Sequence, residues 1–128
     1  MEIVYIVMGC GLLQFFAFGM LAGMQRMKTG VQAPAISGNE VFERYFRVHY
    51  NTMEQLVIFI PAIVLFGMYI SSNWAAGLGV VFIIGRFVYL KMYVSNPKKR
   101  GIGFGLTMLP NMLLLLGGIG GAAAAALG

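Results

Sequence analysis

The sequence predicts an all-α integral membrane protein, a single four-helix bundle, and three observations carry that prediction. The first is the scarcity of charge. Of 128 residues, 10% are charged and 59% are hydrophobic, whereas an average soluble domain has roughly a quarter of its residues charged. This excludes an ordinary soluble domain, and it excludes disorder, which pairs low hydrophobicity with high charge. The second is that the charges leave three uncharged tracts, 3–25, 55–85 and 101–128. A helix crosses the hydrocarbon core with about 20 apolar residues, so the first and last tracts are one span each. The third is a polar break, Ser71-Ser72-Asn73, which splits the middle tract between two helices.

Each helix has its own justification. The first, near residues 2–24, is an apolar run closed by Arg26 and Lys28. No Lys or Arg precedes it and no cleavage site follows, so it is expected to be a permanent helix rather than a signal peptide. The second, near 41–70, opens in the charged stretch Phe42–Glu54 and continues as an apolar run to the polar break. The third, near 74–95, runs from that break toward the basic cluster Lys98-Lys99-Arg100, and the fourth, near 103–126, follows the cluster. A β-barrel is excluded because its strands alternate apolar and polar residues, and these tracts do not. With no linker and no internal repeat, residues 1–128 are expected to form one transmembrane domain.

Charge placement predicts orientation. All nine Lys and Arg fall in the loops after helices one and three or in the helix ends beside them. The positive-inside rule then puts both basic loops in the cytoplasm and both termini on the opposite side. Lys98 and Lys99 read first as topology anchors that also touch anionic headgroups. Clusters at membrane helix ends do not suggest nucleic acid.

Two polar stripes lie inside the spans. Arg44, Arg47, Asn51 and Glu54 are spaced 3, 4 and 3 apart, which sets them on one helical face, with Gln55 adjoining and His49 flanking. Arg86, Tyr89 and Tyr93 are spaced 3 and 4 on the third helix. Polar groups facing lipid are costly, so such stripes turn toward protein or a water-filled cavity. Together they predict a polar pocket between helices two and three, open at the cytoplasmic face. The plainer alternative is a set of buried ion pairs, Glu54 with Arg86 above all, that only locks the helices together. Arginines in excess of carboxylates favour a small anionic ligand, since guanidinium binds carboxylates bidentately.

Other features carry less. One His and one Cys form neither a zinc site nor a disulfide within a chain, and Cys10 reads as a small buried residue. Gly101-Ile-Gly-Phe-Gly105 is no phosphate loop, since no strand precedes it; it reads as close backbone packing at the start of helix four. Gly19-xxx-Gly23 and Gly117-xxx-Gly121 match the small-residue packing motif of membrane helices.

The stripes resemble a known family. Arg47-Val-His-Tyr-Asn51-Thr-Met-Glu54 is similar to the second-helix signature of the MAPEG family, membrane-associated proteins in eicosanoid and glutathione metabolism. Arg86-Phe-Val-Tyr89-Leu-Lys-Met-Tyr93, with Arg100 seven residues beyond, resembles the third-helix motif of the glutathione-conjugating members. Arg26 stands where the family ends helix one with a basic residue. The resemblance implies a homotrimer that binds glutathione between neighbouring subunits. Arg47, Asn51, Glu54, Tyr89 and Tyr93 would hold the tripeptide, Arg26 and His49 would help, and Arg100 would be catalytic beside the sulfur. It implies a glutathione S-transferase, with glutathione-dependent peroxidase activity as a variant, and no metal. Its partners would be glutathione, a hydrophobic electrophile or lipid hydroperoxide, membrane lipid and copies of itself. The membrane would be a bacterial inner membrane or the endoplasmic reticulum. Gln55 and Met27 replace a Tyr and a second Arg of the leukotriene-synthase type, which counts against that assignment, and the short segment after helix four suits a bacterial or generalist transferase. Two rival readings are a non-catalytic lipid-presenting relative and a small four-helix transporter; the transporter would need a membrane-embedded carboxylate, for which only Glu54 serves.

Overall fold

The computed structural model describes all residues, 1–128. It has four helices: α1 (Glu2–Thr29), α2 (Glu40–Tyr69), α3 (Ser72–Ser95) and α4 (Gly101–Leu127), with a 3-10 turn over Pro97–Lys99 before α4. All four are long and apolar enough to cross a membrane. Helix α1 continues a turn beyond the expected end near 24. Arg26 and Lys28 do not stop it but lie in its last turn, where cations offset the helix dipole; Gly30, at φ 75°, ends it in the left-handed conformation. Asn39 caps α2 by accepting from the amides of Val41 and Phe42, and Ser71 caps α3 by accepting from Trp74. The predicted polar break is therefore a working helix start.

Helix α4 packs on both α2 and α3, and α1 packs on α2 and α3. The α3–α4 crossing is close because glycine permits it. A Cβ on Gly103 would collide with the backbone nitrogen of Tyr89, and one on Gly85 would lie 2.8 Å from the carbonyl oxygen of Leu106. Pro110 has no N–H to give that carbonyl four residues back, so Gly85 sits against an oxygen freed from the helical ladder. The expected close packing at the start of α4 thus rests on Gly103, while Gly101 and Gly105 face no such neighbour. Gly117 meets Phe66, and Gly121 meets Tyr69 and Ile70 at the end of α2; in the first motif Gly19 meets His49 and Gly23 meets nothing.

The bundle has two unlike ends. Near the termini and the α2–α3 turn the interior is apolar: Val4, Val7, Leu56, Phe59, Ile63, Phe82 and Leu114 form one cluster. Phe59 and Phe82 stack with centroids 4.0 Å apart. Toward the loops the buried layer is polar, with Arg86, Thr52 and Thr107 fully buried and a smaller cluster of Phe18, Val48 and Tyr89 beyond. Large apolar side chains such as Leu13, Phe16, Val57 and Trp74 point outward, as a lipid-facing surface requires. Cys10 is on that exposed surface, which corrects the expectation of a buried position: it lies on the outer side of α1.

Candidate functional site

The predicted pocket lies at the loop end. Arg47, Asn51 and Glu54 recur at helical spacing along α2, and Tyr89 and Tyr93 face them from α3. Arg100, at the N-cap of α4, closes the same cleft, which measures about 370 Å³, within the usual size range of small-molecule sites. Asn51, Tyr89 and Arg100 are also shared with an adjoining space of about 560 Å³ that reaches Lys98 and Phe104. Arg47 and Tyr93 are shared with a third space, of about 320 Å³, under the loop after α1. The three form one groove along the loop face.

The charges of this groove differ in how they are held. Neither Arg47 nor Glu54 takes part in either ion pair of the chain, and Arg100 donates only to the carbonyl oxygen of Pro97, at 3.0 Å. Arg44 belongs to the stripe by spacing but is already engaged: it pairs with Glu40 at 2.9 Å and donates to the Val94 carbonyl at 3.0 Å. The cleft proper therefore offers two guanidiniums and one carboxylate outside any ion pair, one carboxamide and tyrosine hydroxyls. That set suits a ligand carrying both carboxylate and amine. The tyrosine rings stack with centroids 5.5 Å apart.

Three expected placements change. The Glu54–Arg86 ion pair does not form. Arg86 instead donates to Thr52 Oγ1, Thr107 Oγ1 and Asn51 Oδ1, and its guanidinium carbon lies 4.3 Å from the Tyr89 ring centre. These acceptors surround it inside the bundle, while Glu54 is exposed. His49 stands two residues from Asn51, or about 200° around a helix, so it faces α1. There it stacks on Phe15 with centroids 4.6 Å apart, beside Gly19. Arg26 also stays on the α1 side: it donates to the Ala35 carbonyl at 2.7 Å and covers the Phe42 ring at 4.5 Å. Neither residue lines the cleft of its own chain. The sequence reading missed Tyr50, which lines the cleft, and Thr52 and Thr107. A signal for the threonines existed, since a buried arginine short of carboxylates needs neutral acceptors and polar residues in these spans are few.

Fold and site together define a multi-pass membrane protein, a four-helix bundle with a cationic, tyrosine-walled cleft at one end. Comparison with known sequences makes this specific: the MAPEG family model matches residues 3–120, and the chain belongs to the MAPEG family. An uncharacterized protein of Synechocystis sp. is 45% identical over 97 residues, 76% of this chain and 71% of that one. Human microsomal glutathione S-transferase 2 is 38% identical over 104 residues, 80% of this chain and 71% of the relative. Bovine leukotriene C4 synthase is 23% identical over 94 residues, 73% of this chain and 61% of the relative. The protein is an integral membrane helical bundle.

Proposed function

We propose that this protein is a membrane-bound glutathione S-transferase that activates the glutathione thiolate for attack on hydrophobic electrophiles arriving from the bilayer. One observation carries the reading: Arg47, Asn51, Glu54, Tyr89, Tyr93 and Arg100, from three helices, line a single cleft in which Arg47 and Glu54 are unpaired. A human relative named as a glutathione transferase supports it. The glutamyl end of the tripeptide carries an amine and a carboxylate, which Glu54 and Arg47 complement. Arg100 is the catalytic residue beside the sulfur.

The chemistry needs such a cation. Thiolate is the nucleophile, and an unperturbed thiol of pKa about 8.5 is only a few per cent ionised at neutral pH. Lowering that pKa by two units, worth about 2.7 kcal/mol, makes thiolate the main form. The sulfur then bonds to the electrophilic carbon, and the leaving group departs with the electron pair of the broken bond. In the peroxidase variant the same thiolate attacks the peroxide oxygen of a lipid hydroperoxide: the O–O bond breaks, the lipid alkoxide leaves and takes a proton to become the alcohol, and a second glutathione converts the resulting sulfenic acid to glutathione disulfide and water.

The protein works as a homotrimer in this reading. Arg26 and His49 lie on the α1 side of α2, so they reach glutathione only from a neighbouring copy. The cleft opens at the end that carries every Lys and Arg, and the positive-inside rule assigns that end to the cytoplasm.

The test is glutathione titration of the purified protein, followed by thiolate absorbance, together with conjugation to a halogenated nitrobenzene. A thiolate signal that saturates with glutathione and conjugate formation are expected. Protein that neither binds glutathione nor shows conjugase or peroxidase activity overturns the reading, and a bound lipid without turnover points to a lipid-presenting relative.

A further inference from the structure

Arg86 lines none of the groove, yet it is the one charged residue buried completely in the bundle. An arginine only donates hydrogen bonds, and neither ion pair of the chain includes this one. Its acceptors are neutral and come from two other helices. Thr52 Oγ1 accepts at 2.8 Å from Nη2 and at 3.2 Å from Nε, and Thr107 Oγ1 accepts at 3.2 Å from Nη1. Each threonine gives its own hydroxyl proton to a carbonyl one turn back, Val48 at 2.7 Å and Gly103 at 2.9 Å. Both oxygens are thereby left as acceptors for the guanidinium.

The remaining contact joins Arg86 to the cleft. Its Nη2 donates to Asn51 Oδ1 at 2.9 Å. Because the donor cannot accept, the carboxamide must turn its oxygen inward, and its NH2 group then points the other way. That Nδ2 has no partner in the chain and is not among the buried unpartnered atoms, on a residue that lines two spaces of the groove.

We infer that Arg86 is a positioning residue: by holding Asn51 Oδ1 it fixes the carboxamide with NH2 toward the cleft, making this stretch of wall a subsite for a ligand oxygen, a carboxylate or peptide carbonyl of glutathione. The inference rests on the glutathione reading and adds to it the residue that sets the polarity of one wall. Without the guanidinium the carboxamide is free to turn over. Its oxygen then faces the cleft and repels the group that its nitrogen would bind.

The experiment is a double-mutant cycle on the purified full chain. Glutathione affinity is measured by calorimetry for wild type, Arg86→Met, Asn51→Ala and the double variant, and kcat at saturating glutathione is measured with a halogenated nitrobenzene. Each single variant is expected to bind glutathione about tenfold more weakly, the scale of one hydrogen bond to a charged group. The double variant should bind no more weakly than Asn51→Ala, and the loss in Arg86→Met should appear in the glutathione KM more than in kcat. Arg86→Lys, which keeps a donor for Asn51, is expected to recover most of the affinity. Should Arg86→Met fail to fold, Thr107→Val loosens the same guanidinium from the side remote from the cleft. It should weaken binding in the otherwise wild-type chain and leave it unchanged in a chain that already carries Asn51→Ala. Additive losses, or a loss confined to kcat, overturn the inference while leaving the glutathione reading intact. Wild-type protein that does not bind glutathione overturns both.

Discussion

The two ends of this bundle solve opposite problems with the same four helices. At the terminus end Phe59, Phe82, Ile63 and Val4 are fully buried against one another, and packing alone holds that cluster together. At the loop end the same helices surround a buried guanidinium and open into a groove with unpaired charges. A charge inside a membrane bundle is costly unless it is held by polar neighbours. The loop end meets that requirement for Arg86 with neutral acceptors, while Arg47, Glu54 and Arg100 stay outside any ion pair in the groove. The apolar end is held by packing, and in the proposed function the polar end carries the chemistry.

Four substitutions test that division. The largest effect is expected for Arg100→Ala, which should lower the conjugation rate by about 100-fold or more, as for loss of a preorganised charge-stabilising donor. Glutathione affinity, read by titration, should change far less. An equal loss of rate and affinity would make Arg100 a binding residue and blur the distinction between catalyst and cleft wall. Gly103→Ala tests the packing under the loop end, because its methyl would meet the Tyr89 backbone. Overpacking of this kind costs about 1–3 kcal/mol, so stability in denaturant titration and turnover should fall together. Phe82→Ala removes one ring of the Phe59 stack. Since lipid is as apolar as the core, the loss comes from packing and cavity, about 2 kcal/mol in the same titration, with the glutathione KM unchanged. A raised KM would show that the two ends are coupled. The smallest effect is expected for Glu40→Gln, whose partner is Arg44 four residues on and whose carboxylate is 82% exposed. Such pairs contribute about 0.5 kcal/mol or less, so neither stability nor turnover should move measurably.

Much of this architecture is legible in the sequence, for identifiable reasons. Uncharged tracts of spanning length admit little besides helices, and Ser71-Ser72-Asn73 reads as a break because serine caps helices. The cleft side of α2 is readable because Arg47, Asn51 and Glu54 repeat at helical spacing. What the sequence hides is what depends on how helices meet. Charge alone makes Arg86 a partner for Glu54, yet the crossing of α3 with α2 and α4 gives it Asn51, Thr52 and Thr107. Spacing along one helix carries no record of a threonine on another. His49 neighbours the stripe in sequence, although two residues along a helix is more than half a turn. That difference turns it to Phe15 on α1. Residue type points Cys10 to the interior, whereas in a bundle bathed in lipid the outside is as apolar as the inside.

The connection between α2 and α3 is only Ile70 and Ser71, whereas residues 30–39 join α1 to α2. A two-residue link has no slack, so it indexes one helix to the next like meshed gear teeth. A residue inserted there would turn α3 by about 100° unless a helix end unwinds to absorb it, and Tyr89 and Tyr93 would swing away from Arg47 at the far end. Ten residues of loop transmit no such phase. An epitope or fluorophore placed between Gly30 and Asn39 should leave the helices in register, and the same insertion at residues 70–71 should not.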